Sequence, residues 1–150
     1  IWQTSDQAPE SRAVLAARAE GDGPGLPPPL DLDLASATWP VSTAAAMVAI
    51  NVIHISPWAA CVGLMAGAGR VLEPGGVLYL YGAFRVGGRH TAPSNQAFDE
   101  TLRRRNPQWG VRDLGEVAAE AAPNGLRLAD TVEMPNNNLS VVFKKAGKET

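Results

Sequence analysis

The sequence has one cysteine, Cys61, so no disulfide can form within the chain and no cysteine-rich zinc site can be built. Histidine is scarce too, with two residues, His54 and His90. Neither sits at ligand spacing from cysteine or from paired carboxylates, so no metal site is expected. Charge of one sign is also lacking. Thirteen Lys and Arg stand against fifteen Asp and Glu, a net charge of −2, which argues against a chain that grips nucleic acid by charge. No apolar run approaches 18 residues, so no membrane span is expected, and no secretory leader is read at the start. These absences together point to the cytoplasm.

What remains is an ordinary globular composition, 45% hydrophobic and 19% charged over 150 residues. That length makes a single domain with a real core. Strand-like and helix-like periods alternate along the chain, the pattern of an α/β protein with a mostly parallel sheet. Ile1 to Gln3 reads as the end of a strand closed by Thr4-Ser5-Asp6, and a helix follows from about Pro9 to Glu20. Gly21 to Pro29 reads as a loop and Leu30 to Leu34 as a short strand. Ala44 to Val52 reads as a buried strand. Ser56 as cap and Pro57 in the first turn then start a helix reaching about Leu72. Glu73-Pro74-Gly75-Gly76 reads as a sharp turn before the strand Val77 to Tyr81. Arg85 to Thr91 reads as a flexible loop, followed by a helix capped by Ser94 or Asn95 and ending near Arg105. Asp113 and Glu116 form a capping box for a helix to about Ala122. Leu126–Met134 and Leu139–Lys145, separated only by Pro135 to Asn138, must pair as an antiparallel hairpin.

Several side chains fall where such sheets do chemistry, at the carboxyl ends of strands. Asp6 and Asp33 are carboxylates at strand ends, each also suited to a plain turn or cap. Asn51 ends a strand and begins the tract Asn-Val-Ile-His-Ile-Ser-Pro-Trp. His54, within it, is the candidate general base, because its ordinary pKa lies near neutrality. Tyr81 closes the clearest strand. Cys61 reads as a small core residue. Arg103 to Arg105 suit the negative end of their helix, and Arg112 beside Asp113 reads as a local ion pair.

The layout, a parallel sheet ending in an antiparallel hairpin, resembles class I S-adenosylmethionine-dependent methyltransferases. Trp2-Gln3-Thr4-Ser5-Asp6, Asn51 to Trp58, Leu78 to Gly82, Ser94-Asn95 with Phe98-Asp99, Arg105-Asn106-Pro107 with Trp109-Gly110 and Arg112-Asp113, and Met134 to Asn138 resemble the methyltransferase-like 26 family. Thr4, Ala83 and Asn136 depart from the family pattern. The resemblance implies a Rossmann-like fold and methyl transfer from S-adenosylmethionine (SAM) to a small-molecule or protein acceptor. It assigns Asp6 to the SAM ribose, Asp33 to the adenine and Asn51 to the methionine portion. His54, Trp58, Tyr81, Asn95 and Asn137 would shape the acceptor pocket. Trp58 follows Ser56-Pro57, which only superficially matches the signature of amino-group methyltransferases acting on bases, so no nucleic acid is expected.

The family's glycine-rich turn after its first strand has no counterpart here. The resemblance therefore implies that the first strand and first helix lie outside this sequence. The chain by itself is expected to bind SAM weakly or not at all. Two other functions compete. A non-catalytic α/β binding or scaffolding protein would also lack that turn. A dinucleotide-dependent dehydrogenase would need its own G-x-G-x-x-G after a strand, which is absent, and the terminal hairpin speaks against it.

Overall fold

The computed structural model describes residues 1–21 and 25–147. It is an α/β structure whose strands, among the described residues, form three separate sheets. Strands β1 (Ser5–Asp6) and β2 (Leu30–Asp31) pair in parallel, with helix α1 (Pro9–Gly21) crossing between them. Strands β3 (Ala44–Ile50), β4 (Leu72–Gly82), β7 (Leu126–Met134) and β8 (Asn138–Lys145) form a four-stranded sheet in the order β3-β4-β8-β7. The β3–β4 pair is parallel, and β8 is antiparallel to both neighbours. Strands β5 (Arg85–Val86) and β6 (Arg89–His90) make a small hairpin.

The core lies on one face of the four-stranded sheet. Period-2 alternation on β4 sends Leu78 and Leu80 inward, where they meet Val141 and Phe143 of β8. Helix α2 (Trp58–Val71) contributes Cys61, Leu64, Met65 and Ala68 to the same cluster, and α4 (Leu114–Ala121) contributes Val117 and Ala121. Helix α3 (Pro93–Arg105) buries Leu102. Gly67 permits close packing on α2, since a methyl there would strike the Trp39 ring at 2.0 Å. The opposite sheet face carries Val48, Ile50 and Val132, which remain exposed.

Element types follow the periodicity, but several boundaries differ from expectation. The first strand is Ser5–Asp6 rather than Ile1 to Gln3, because the ladder to β2 runs through Leu30 N–H to Thr4 C=O and Leu32 N–H to Asp6 C=O. Strand β2 stops at Asp31, so Asp33 lies in the turn beyond it. Glu73 to Gly76 form a bulge inside β4. Ala44 pairs with Leu72, but Ala46 pairs with Val77. Ser56 is not the α2 cap: its hydroxyl donates to the Val52 carbonyl, and Pro57 takes the cap position. Neither Ser94 nor Asn95 caps α3, which starts at Pro93 after an extended Ala92. The loop expected at Arg85 to Thr91 contains the β5–β6 hairpin. Gly87 and Gly88, at φ 60° and 77°, supply the two left-handed residues that a tight hairpin turn requires.

Asp113 caps α4 as expected, accepting from the Gly115 N–H at 2.8 Å. Its second oxygen accepts from Gly88 N–H, which ties the small hairpin to α4. Both bonds favour the ionised carboxylate. Burial pushes the other way, but these bonds together with the Glu116 N–H and the Arg85 charge hold its pKa below the usual range. The turn between β7 and β8 uses Asn136 and Asn137 at positive φ, which asparagine tolerates. Of the loop at Gly21 to Pro29, residues 22–24 lie outside the described residues.

Candidate functional site at the carboxyl ends of the strands

Asp6 and Asp33 are held in the same way. Asp6 Oδ1 accepts from the Ala8 N–H at 2.8 Å, turning the chain into α1. Asp33 Oδ1 accepts from the Ala35 N–H at 2.9 Å. Each carboxylate therefore spends one oxygen on its own turn. The second oxygen has no partner among the described residues. Asp31 differs, because it is paired with Arg12 at 3.0 Å. Both free oxygens belong to residues lining one cavity of about 300 Å³. Leu32, Leu34, Met47, Val52 and Ile55 give this cavity apolar walls, and Ser56 adds a hydroxyl. The cavity thus joins the ends of β1 and β2 to the segment that follows β3. A larger hollow, about 590 Å³, lies between α1 and residues 25–29, and among the described residues that line it Glu20 alone is titratable.

The segment after β3 is a tight corner. Asn51 stands at φ 57° and donates to the Tyr81 carbonyl at 2.8 Å, while its own carbonyl accepts from the His54 and Ile55 N–H groups. A strap at Gly110–Arg112 clamps this corner. Gly110 N–H donates to the His54 carbonyl, and Arg112 N–H donates to His54 Nδ1 at 3.1 Å. The Arg112 guanidinium donates to the carbonyls of Ile53, Ser56 and Gln108, and it lies 5.7 Å from the Trp58 ring centroid. Arg112 is therefore a clamp and not the partner of Asp113. Sequence reasoning missed this role, because carbonyls 53 and 56 are remote from it along the chain.

The strap is in turn fixed by Asp99 on α3. Its carboxylate accepts from the Val111 N–H at 2.8 Å and from Arg103 Nε at 3.1 Å, with His90 Nε2 at 3.4 Å. Burial favours the neutral acid, but the bonds from Arg103 and Val111 win and lower its pKa.

His54 is wholly buried, with Phe84 edge-on at 4.8 Å. Burial, followed by the Arg112 charge, lowers its pKa from 6.5 to about 4. The residue expected as a general base is thus a buried ring. The Nδ1 lone pair already accepts the Arg112 N–H, so neutral imidazole carries its proton on Nε2 and has no lone pair left for a substrate proton. Burial also pushes the Cys61 thiol up to about 12, as suits an inert core residue.

Asn95 and Asn137 are brought together. Asn95 is buried, and its Nδ2 donates to Thr91 Oγ1 at 3.0 Å and to the Asn137 carbonyl at 2.9 Å. Asn137 Nδ2 donates to Ser94 Oγ at 3.2 Å. These bonds stitch the start of α3 to the β7–β8 turn. Tyr81 is half-buried and in register with Ile50 and Ser140. Of the eight predicted residues, only Asp6 and Asp33 line the 300 Å³ cavity; Asn51 borders it through Val52. No group of three or more metal-ligating side chains converges among the described residues.

Residues 1–145 match a family described as "Protein of unknown function (DUF938)". The chain belongs to the DUF938 family. Solved structures show where the DUF938 fold sits among others. An O-methyltransferase family protein from Burkholderia thailandensis superposes with a TM-score of 0.83 at 14% identity, over 98% of this chain and 44% of that one. Human N-acetylserotonin methyltransferase in complex with SAM gives 0.78 at 14% identity, over 96% and 40%. A putative sarcosine dimethylglycine methyltransferase from Galdieria sulphuraria gives 0.75 at 12%, over 96% and 69%. The DUF938 chain thus has the Rossmann-like methyltransferase fold. It spans less than half the length of the first two proteins.

Proposed function

We propose that this DUF938 chain carries the nucleoside-binding part of a SAM-dependent methyltransferase domain, related to the methyltransferase-like 26 family and acting in the cytoplasm on a small-molecule or protein acceptor. The observation that carries this reading is the cavity in which Asp6 and Asp33 each keep one oxygen free. Two carboxylate acceptors between apolar walls suit a ribose diol and an adenine amine. Asp6 would accept from the ribose hydroxyls and Asp33 from the exocyclic amine. Leu32, Leu34 and Ile55 would flank the base. A volume of about 300 Å³ lies at the low end for ligand pockets, so it suits the nucleoside better than the whole cofactor. SAM, when bound, supplies an activated methyl on its sulfonium. This chain's part is to hold and orient, and positioning alone contributes much of such a rate. The buried, neutral His54 fits that division, because it removes no proton from the acceptor.

The test is an amide chemical-shift titration with adenosine and with S-adenosylhomocysteine, which also reads weak binding. Shifts are expected at Ser5 to Gln7, Asp33 to Ala35 and Val52 to Ser56, with loss of the response in Asp6→Ala. Silence in those segments would remove the proposal. Tight binding of SAM by the 150 residues would contradict their being one part of the site.

A further inference from the structure

His54 Nε2 is one of four buried side-chain nitrogens without a partner among the described residues. Its tautomer is fixed from the other side of the ring. A backbone N–H must donate into a lone pair, so Nδ1 is the acceptor and Nε2 bears the proton. A buried donor left unused is costly, and such groups draw in an acceptor. The surroundings supply one. The position a Cβ would take on Gly82 lies 2.6 Å from His54 Nε2 and 2.8 Å from Asn51 Oδ1. The two atoms therefore converge on the space that the missing side chain leaves open. They are not aligned as a hydrogen bond in this structure. The ring itself is held by Arg112 and Phe84, so alignment of the pair falls to the Asn51 side chain.

We infer that His54 is a positioning residue that aims the Asn51 carboxamide, its Nε2–H facing Asn51 Oδ1 so that the Asn51 NH2 is left for a hydrogen-bond acceptor, such as a carboxylate, at the end of β3. A donor beneath the carboxamide selects its oxygen, because the flipped amide would set N–H against N–H. Asn51 is half-buried where His54 is wholly buried, so of the pair Asn51 is the residue open to the surface. The ligand half of this inference rests on the proposed function, while the His54–Asn51 coupling does not.

The two halves are tested separately. Asparagine and aspartate both tolerate positive φ, so Asn51→Asp keeps the corner. In ¹⁵N-labelled protein, the His54 ring is expected as the Nε2–H tautomer. In Asn51→Asp a carboxylate faces that proton, and the His54 titration midpoint should rise by about one unit or more from its value near 4. A midpoint that does not move, or an Nδ1–H tautomer, overturns the coupling. For the ligand half, the Asn51 side-chain NH2 signals should shift with S-adenosylhomocysteine, which carries a carboxylate, and stay still with adenosine, which does not. Movement of the Asp6 and Asp33 segments with both ligands, but no movement of the Asn51 NH2 with either, overturns the ligand half. If neither ligand shifts any segment, the proposed function falls, the ligand half falls with it, and the titration alone decides the coupling.

Discussion

The two ends of the cavity are built very differently. Among the described residues, none before Ile53 is fully buried in the core, where Leu34, Trp39, Ala44, Met47 and Ala49 only pack against its edge; α1 buries no residue, and β1 and β2 are two residues each. Residues from Ile53 onward supply the fully buried core cluster, and the four-stranded sheet that carries it has strands of 7 to 11 residues. Yet the two free carboxylates stand on the thin N-terminal layer, and the clamped corner stands on the thick one. The stability of this protein and its ligand chemistry therefore sit on different scaffolds. Local opening should be easiest where the carboxylates are.

The comparison is broken most sharply by Phe143→Ala. Phe143 is 0% exposed at the centre of the four-stranded sheet, and its truncation should destabilise by about 3–5 kcal/mol in chemical denaturation. A loss below about 1 kcal/mol would mean that the core is not where the stability lies.

Acid sharpens it next. His54 has a folded pKa near 4 against 6.5 unfolded. Its contribution is therefore complete above pH 6.5 and is lost as pH falls toward 4, about 3 kcal/mol in all. Asp99 and Asp113 have lowered values, so their contributions are lost further down, as pH falls below the ordinary carboxylate range. In His54→Gln the loss between pH 6.5 and 4 should flatten; a slope equal to wild type would assign it elsewhere. Asp113→Ala removes the α4 cap and the Gly88 tie, and should cost about 1–2 kcal/mol in thermal unfolding. Smallest of all, Val14→Ala on the exposed face of α1 should stay within about 0.5 kcal/mol. Exchange of the α1 amides should be faster than that of β4 in every variant.

Much of this was legible in the residues. Alternation in Val77 to Tyr81, the Asp113–Glu116 box and the short Pro135–Asn138 link each act over a few positions, and each gave the element that is found. Ser56 and Asn95 show the limit. Both have the side chain of a helix cap, but a cap is decided by which N–H is left orphaned nearby, and Val52, Thr91 and Asn137 made better offers. The Asp6 and Asp33 pair was half legible. Asp6 could be read at a strand end, but Asp33 lies in the turn past one, and one oxygen each being spent on a turn could not be read.

Local chemistry written in the chain determined the α/β class, the closing hairpin and the carboxylates at the strand tips, because periodicity, turn residues and caps operate between near neighbours. The role of His54 was settled only in three dimensions. Its type suggested a base, but a backbone N–H 58 positions away occupies Nδ1, and burial keeps the ring neutral. A proton's place depends on what surrounds the ring, and that environment exists only once distant segments have packed together.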